Sequence, residues 1–299
     1  MLEKHINGGA ETGDNLVFIV GSPRSGTTWL QRLLATHPRV QTGQESRLFN
    51  YVGPQLRRWR DDMDSAAMTG RNGTGLACYL NEEEFFAIQK NYLAALLKPM
   101  LRHLQPGQIF LEKTPDHALF VPEIVQLLPA AKIIHIVRDP HDVVASLLAA
   151  SRTWGANWAP RKVKHALRVW HQHVDQARQA GAQLPPEQFL EIGYEDMVAS
   201  PETRLRAVAD FLRLAWSDAD IAAAVKANAA GELRQGKGTP IPIRGALAKA
   251  PNAVVQEPKD FVRKAKPGSW RQDLTWLERW QLARHLRRLE SKFPGSVKK

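Results

Sequence analysis

Residues 17 to 31 read VFIVGSPRSGTTWLQ, and within them GSPRSGTT has the G-x-x-x-x-G-x-T spacing of a phosphate-binding loop. Gly21 and Gly26 allow the backbone to come close to an anion. The N–H groups of Ser25 to Thr28 would then point inward at the start of a helix, whose dipole favours negative charge. The hydroxyls of Thr27 and Thr28 are further donors. The lysine that serves β- and γ-phosphates beside Mg²⁺ in triphosphate-binding loops is missing, because Thr27 stands in its place. A cation is present three residues earlier, as Arg24. The pattern therefore suits an anion other than a nucleoside triphosphate. A Gly/Ser/Thr-rich turn with no ligand is the plain alternative, but here strand, cation, hydroxyls and helix start all fall in register.

A second cationic segment, KIIHIVRDPHDVVAS, covers residues 132 to 146. A strand ends at Arg138, a proline turns the chain, and Ser146 follows eight residues later in a helix. The Arg fork suits bidentate contact with phosphate, although a lone arginine at a strand end is commonly a surface ion pair.

Together these residues resemble the sulfotransferase family, which uses 3′-phosphoadenosine 5′-phosphosulfate (PAPS) as sulfuryl donor. PRSGTTWLQRLLATHP resembles its 5′-phosphosulfate loop, and Arg138 with Ser146 resembles its 3′-phosphate motif. The resemblance implies that Arg24, Ser25, Gly26, Thr27, Thr28 and Trp29 belong to the donor loop. FLEIGYEDMVASPETRLRAVADFL is similar to a further family segment and implies that Tyr194 packs on the adenine; a core tyrosine is the alternative. RKAKPGSWR resembles the family's C-terminal clamp and points to Arg263 and Lys264, but Ala265 and Ser269 replace the family's Gly and Asp. The likeness runs from about residue 16 to 271.

Sulfuryl transfer needs in-line oxygens, stabilisation of developing charge and a base for the acceptor hydroxyl. TGQESRLF (42–49) partly resembles the Gly-Glu-Glu-Thr-Arg pattern of tyrosylprotein sulfotransferases, which implies Glu45 as the base. Gln44 departs from that pattern. In FLEKTPDHALF (110–120) the resemblance implies that Lys113 stabilises the leaving oxygen and makes His117 the rival base; Arg24 is the third catalytic candidate. The expected product is adenosine 3′,5′-bisphosphate. No His, Cys and carboxylate set has metal-ligand spacing, so no metal is expected.

The elements that must position these residues alternate between strand and helix. Apolar runs at 16–20, 108–112, 132–137 and 188–192 predict buried strands, with helices following from Thr27, Val121, Asp142 and Pro201. Asn81 and Glu84 predict a capping box opening a helix over Glu82–His103, and a last helix is predicted over Thr275–Glu290. This alternation predicts an α/β protein of P-loop type, a central parallel sheet flanked by helices in three layers. Residues 229–269, rich in Gly, Pro and Lys, read as a long functional loop. A single domain over 1–299 is expected, with flexible ends at 1–14 and 293–299.

The whole-chain numbers set outer bounds. Of 299 residues, 43% are hydrophobic and 24% charged, as in ordinary globular proteins. The net charge is +11, concentrated at the end: Lys259 to Lys299 holds 12 Lys and Arg against 4 Asp and Glu. This excess allows nucleic acid, anionic lipid or a small polyanion as partner. No recognised nucleic-acid motif accompanies it, so a non-catalytic nucleic-acid-binding protein is a weaker alternative. So is a P-loop kinase, in which Arg24 would replace the lysine and Asp139 would hold Mg²⁺. The single cysteine, Cys78, excludes an internal disulfide. No secretory signal and no membrane span is read, so a cytoplasmic protein is expected. The acceptor is open between glycan, lipid, phenol and secondary metabolite. Trp154, Trp158 and Trp170 are candidates to face it or to be core, and a homodimer is possible.

Overall fold

The computed structural model describes residues 13–69, 75–250, 252–258, 261–262 and 266–293. Most of the two ends expected to be flexible lies outside these residues. Five strands form one parallel sheet: β1 (Leu16–Gly21), β2 (Val40–Thr42), β3 (Ile109–Lys113), β4 (Lys132–Val137) and β5 (Phe189–Gly193). Their spatial order is β2-β3-β1-β4-β5, with every pairing parallel. The predicted three-layer α/β architecture is observed. Four strands lie where the apolar runs predicted them. The fifth, β2, is three residues long and carries the polar sequence VQT, too short to show a period.

The helices in chain order are α1 (Thr27–Leu34), α2 (Leu48–Thr69), α3 (Glu82–Leu101), α4 (Val121–Leu127), α5 (Pro140–Ser151), α6 (Val163–Gly181), α7 (Tyr194–Ala199), α8 (Pro201–Leu212), α9 (Asp218–Ala227), α10 (Ala230–Arg234), α11 (Trp270–Asp273) and α12 (Trp276–Lys292). The Asn81–Glu84 capping box forms as predicted. Helix α5 begins at Pro140, two residues before its predicted start, because Asp139 accepts from the His141 N–H and caps it.

The layers follow from the period of two in a strand. In β1, Leu16, Phe18 and Val20 enter a core under α2, α3 and α4, with Phe49, Val52 and Ile124. Val17 and Ile19 enter the opposite core, with Leu30, Leu33 and Leu34 of α1 and Val208 of α8. Phe18 and Ile19 are fully buried, and such a side chain contributes about 1.5–3 kcal/mol. A third cluster joins α5, α6 and α12 through Leu147, Leu167, Trp170 and Leu282. Residues 229–269 are not a bare loop. They contain α10, a 3₁₀ turn at Gly245–Leu247 and a Pro242–Val254 bridge.

Candidate active site

Parallel sheets present ligand sites at the C-terminal ends of their strands, and the predicted site residues collect there. Gly21 closes β1, Lys113 closes β3, Arg138 follows β4, Tyr194 follows β5, and the Glu45 loop follows β2. Among the described residues a cavity of about 830 Å³ opens at this edge, lined by Arg24, Thr28, Trp29, Arg138, Ser146 and Tyr194, among others.

The loop between β1 and α1 is held in a conformation that few side chains tolerate. Gly26 has φ 98°, and a Cβ there would lie 2.6 Å from Tyr194 Cδ2, so glycine is required on both counts. Arg24 itself adopts φ 75°, a left-handed conformation of the kind concentrated at functional sites. No side chain caps α1, which leaves its first N–H groups for an anion. Ser25 Oγ is buried with no protein partner.

The two cationic segments meet. Arg138 Nη1 donates to the Arg24 carbonyl at 3.2 Å, and Arg24 Nε donates to Ser146 Oγ at 3.1 Å. The Arg138 guanidinium lies 4.4 Å from the Tyr194 ring centre, and its Nε is buried without a partner. A buried guanidinium N–H left unpaired is costly unless a ligand takes it. Burial raises the pKa of the Tyr194 phenol, against the opposing pull of Arg138. Trp29 meets Tyr194 edge-on and donates to the Asn228 carbonyl. Unpaired donors, loop amides and two guanidiniums on one wall fit a ligand with two anionic groups.

The other half of the site lies on adjacent strands. Lys113 pairs in register with Ile19, two residues before Gly21. Its Nζ forms an ion pair with Glu45 Oε1; the lysine side chain is buried and that of Glu45 is 39% exposed. Three anchors fix the segment carrying Glu45. Gln31 of α1 donates to the Gly43 carbonyl at 2.8 Å. Glu112 accepts from the Ser46 N–H and hydroxyl at 3.1 and 2.7 Å. Thr114 Oγ1 accepts from the Arg47 N–H at 3.2 Å. Burial opposes ionisation of Glu112, but the neighbouring His117 ring and the hydrogen bonds of Ser46 and Thr114 outweigh it and lower its pKa to about 2.

His117 lies elsewhere. It is fully buried between Phe18 and Phe49. Its Nε2 accepts from the Phe49 N–H at 3.1 Å, and its Nδ1 lies 2.8 Å from Glu112 Oε2. Arg263 and Lys264 lie outside the described residues. The clamp segment just beyond them is docked on Asp142, which is buried and accepts from the Gly268 N–H at 2.7 Å and the Trp270 N–H at 3.0 Å. Of the three tryptophans, Trp170 is core and donates to the Arg138 carbonyl, while Trp158 is exposed. Trp154 and Phe261 flank the Arg24 guanidinium, whose centre is 5.2 and 4.4 Å from their rings.

Several of these residues were not singled out from the sequence. Arg32 pairs with Glu257 at 3.2 Å and donates to the Thr239 carbonyl, joining α1 to two stretches whose residues line the cavity. Its signal was a cation within the apolar helix WLQRLL. Asp142 signalled itself only as an acid four residues after Arg138. Gln31 and Glu112 look like ordinary polar residues until the loop they hold is seen. Among the described residues no group of three or more His, Cys, Asp and Glu could hold a metal ion.

A model of the sulfotransferase family matches residues 16–218. Protein-tyrosine sulfotransferase 2 of Gallus gallus is 26% identical over 209 residues, covering 68% of this chain and 52% of that protein. Protein-tyrosine sulfotransferase 1 of Danio rerio is 28% identical over 206 residues, covering 68% and 54%. The chain thus spans about half the length of the curated relatives it matches. Mouse sulfotransferase SULT7A1 complexed with PAP superposes with a TM-score of 0.59 at 16% identity, over 95% of this chain and 87% of that one. The sulfotransferase domain of the Synechococcus PCC 7002 olefin synthase gives a TM-score of 0.53 at 21% identity, over 92% and 96%. At these identities the structural likeness speaks for the fold. With the family model covering two-thirds of its length, the chain belongs to the sulfotransferase family.

Proposed function

We propose that this chain transfers a sulfuryl group from PAPS to the hydroxyl of an acceptor. The observation that carries this reading is the meeting of Arg24, Arg138 and Ser146 on one cavity wall, one strand away from the Glu45–Lys113 pair. The loop amides and Arg24 receive the 5′ end of the donor, and Arg138 with Ser146 receives the 3′-phosphate. Tyr194 and Trp29 provide the aromatic wall for the adenine. In the reaction the bond from sulfur to the 5′-phosphate oxygen breaks and a bond from sulfur to the acceptor oxygen forms. Glu45 takes the hydroxyl proton, and Lys113 with Arg24 stabilises the negative charge left on the bisphosphate. Glu45 is favoured over His117 because its carboxylate reaches solvent, whereas both ring nitrogens of His117 face partners inside the core.

The names of the relatives add the phenol of a protein tyrosine to the acceptor classes open to this chain, beside glycan, lipid, small phenol and secondary metabolite. The test is a panel of these acceptors with PAPS, reading released adenosine 3′,5′-bisphosphate for the natural protein and Glu45→Gln. General-base catalysis contributes roughly 10²–10⁴-fold. With any acceptor that turns over, the variant should be slower by that factor while still binding the bisphosphate. Equal turnover by the variant removes Glu45 from the chemistry.

A further inference from the structure

The proposed donor site makes no use of the arginines of α12, and the structure puts three of them on one face of that helix. At about 100° per residue, Trp276, Leu277, Trp280, Arg284, Arg287 and Arg288 fall within an arc of roughly 120°. Leu282 and Leu286 point the other way, into the core with α6. On the outward face Trp276 is 74% exposed, Trp280 53% and Leu277 45%, and all three arginines are exposed. Beside this face, Arg161 and Lys162 precede α6 and Lys164 lies in its first turn, all exposed. Between the two helices lies a hollow of about 500 Å³ lined by Arg161, Lys162, Lys164, Trp280, Arg284 and His285. Its one acid, Glu278, is turned aside, paired with Arg152 and accepting from the N-capping Thr275. Burial, and after it the charges of Arg288, Lys164 and Arg284, lowers the pKa of His285.

We propose that this face docks the protein peripherally on an anionic lipid bilayer, with Trp276, Leu277 and Trp280 entering the interface and the hollow receiving an anionic headgroup. Two exposed tryptophans and a leucine at one end of a helix face, followed by three arginines, have the composition of interfacial helices. A soluble polyanion would use the cations but leaves the leucine and most of the two indoles in water. Among the described residues no helix is long and apolar enough to cross a membrane, so attachment through this face lies on the surface.

The test is sedimentation of the full chain with vesicles of phosphatidylcholine, with and without phosphatidylserine, at physiological ionic strength. Binding is expected only with phosphatidylserine. Trp276→Ser with Trp280→Ser should weaken it at least about tenfold. Arg284→Gln, Arg287→Gln and Arg288→Gln together should weaken it by on the order of 100-fold, about fivefold per charge. Bisphosphate binding and melting temperature, measured on the same variants, should stay unchanged and so separate lost docking from lost folding. No binding to the anionic vesicles overturns the proposal. So does binding that ignores the tryptophan substitutions, or capture of single-stranded nucleic acid in place of vesicles.

Discussion

At the scale of single residues, the proposed site divides into groups that would meet the ligand and groups that hold those in place. Its burial in the core puts His117 with the second kind in the proposed reading. Removing it as His117→Ala strips Glu112 Oε2 of the ring nitrogen 2.8 Å away and leaves a gap between Phe18 and Phe49. A loss of about 2–4 kcal/mol of stability is expected, read as a lower melting temperature, with turnover per folded molecule changed less than by Glu45→Gln. A larger loss of turnover at His117 would reverse the two roles. Glu112 predicts acid sensitivity. Its folded pKa lies below the ordinary 4.5, at about 2. The stability it contributes, about 3 kcal/mol, is present above the ordinary value and lost as pH falls from about 4.5 towards 2. Glu112→Gln should be less stable at neutral pH and lose less on acidification through that window; an unchanged acid-unfolding profile would contradict this. The residues proposed to meet the ligand stand out in the sequence because glycine, cation and hydroxyl spacing is short-range. Gln31, Arg32, Glu112 and Asp142 do not, since the segments they hold, at Gly43, Glu257, Ser46 and Gly268, lie at least twelve residues away and no local pattern marks them.

At the scale of elements, strand ends and helix starts carry the argument. Long, apolar or capped elements were readable: β1, β3, β4 and β5, and α3 with its capping box. The short polar β2 was not, although it launches the Glu45 loop. The 229–269 stretch read as a loop because its described folded pieces are a five-residue helix, a 3₁₀ turn and a bridge, held by distant contacts such as Arg32–Glu257 rather than by their own periodicity. The clamp segment poses an element-scale test. Asp142 joins the first turn of α5 to the N–H groups of Gly268 and Trp270. Asp142→Ala strands both N–H groups and frees the segment that carries Ser269 into the cavity lining. Each charge-assisted bond contributes about 1.5–3 kcal/mol. Bisphosphate affinity should therefore fall at least about tenfold, and calorimetry that finds it unchanged would separate this segment from the donor site.

At the scale of the whole molecule, one sheet edge gathers segments from five stretches of chain, and the net charge of +11 meets two different surfaces. One is the cavity wall, where Arg138 donates to the Arg24 carbonyl and Arg24 donates to the Ser146 hydroxyl. The other is the outward face of α12. The first surface is the decisive one, because a site built from two cationic segments must distinguish a nucleotide with two phosphates from one with a single phosphate. The direct measurement is calorimetric titration of the protein with adenosine 3′,5′-bisphosphate and with AMP, repeated on Arg138→Ala. One lost charge-assisted contact is worth about 1.5–3 kcal/mol, so the bisphosphate should bind at least about tenfold tighter than AMP, and Arg138→Ala should remove most of that advantage while leaving AMP affinity nearly unchanged. Equal affinity for the two nucleotides, or an Arg138→Ala variant that loses both alike, would contradict the two-phosphate site.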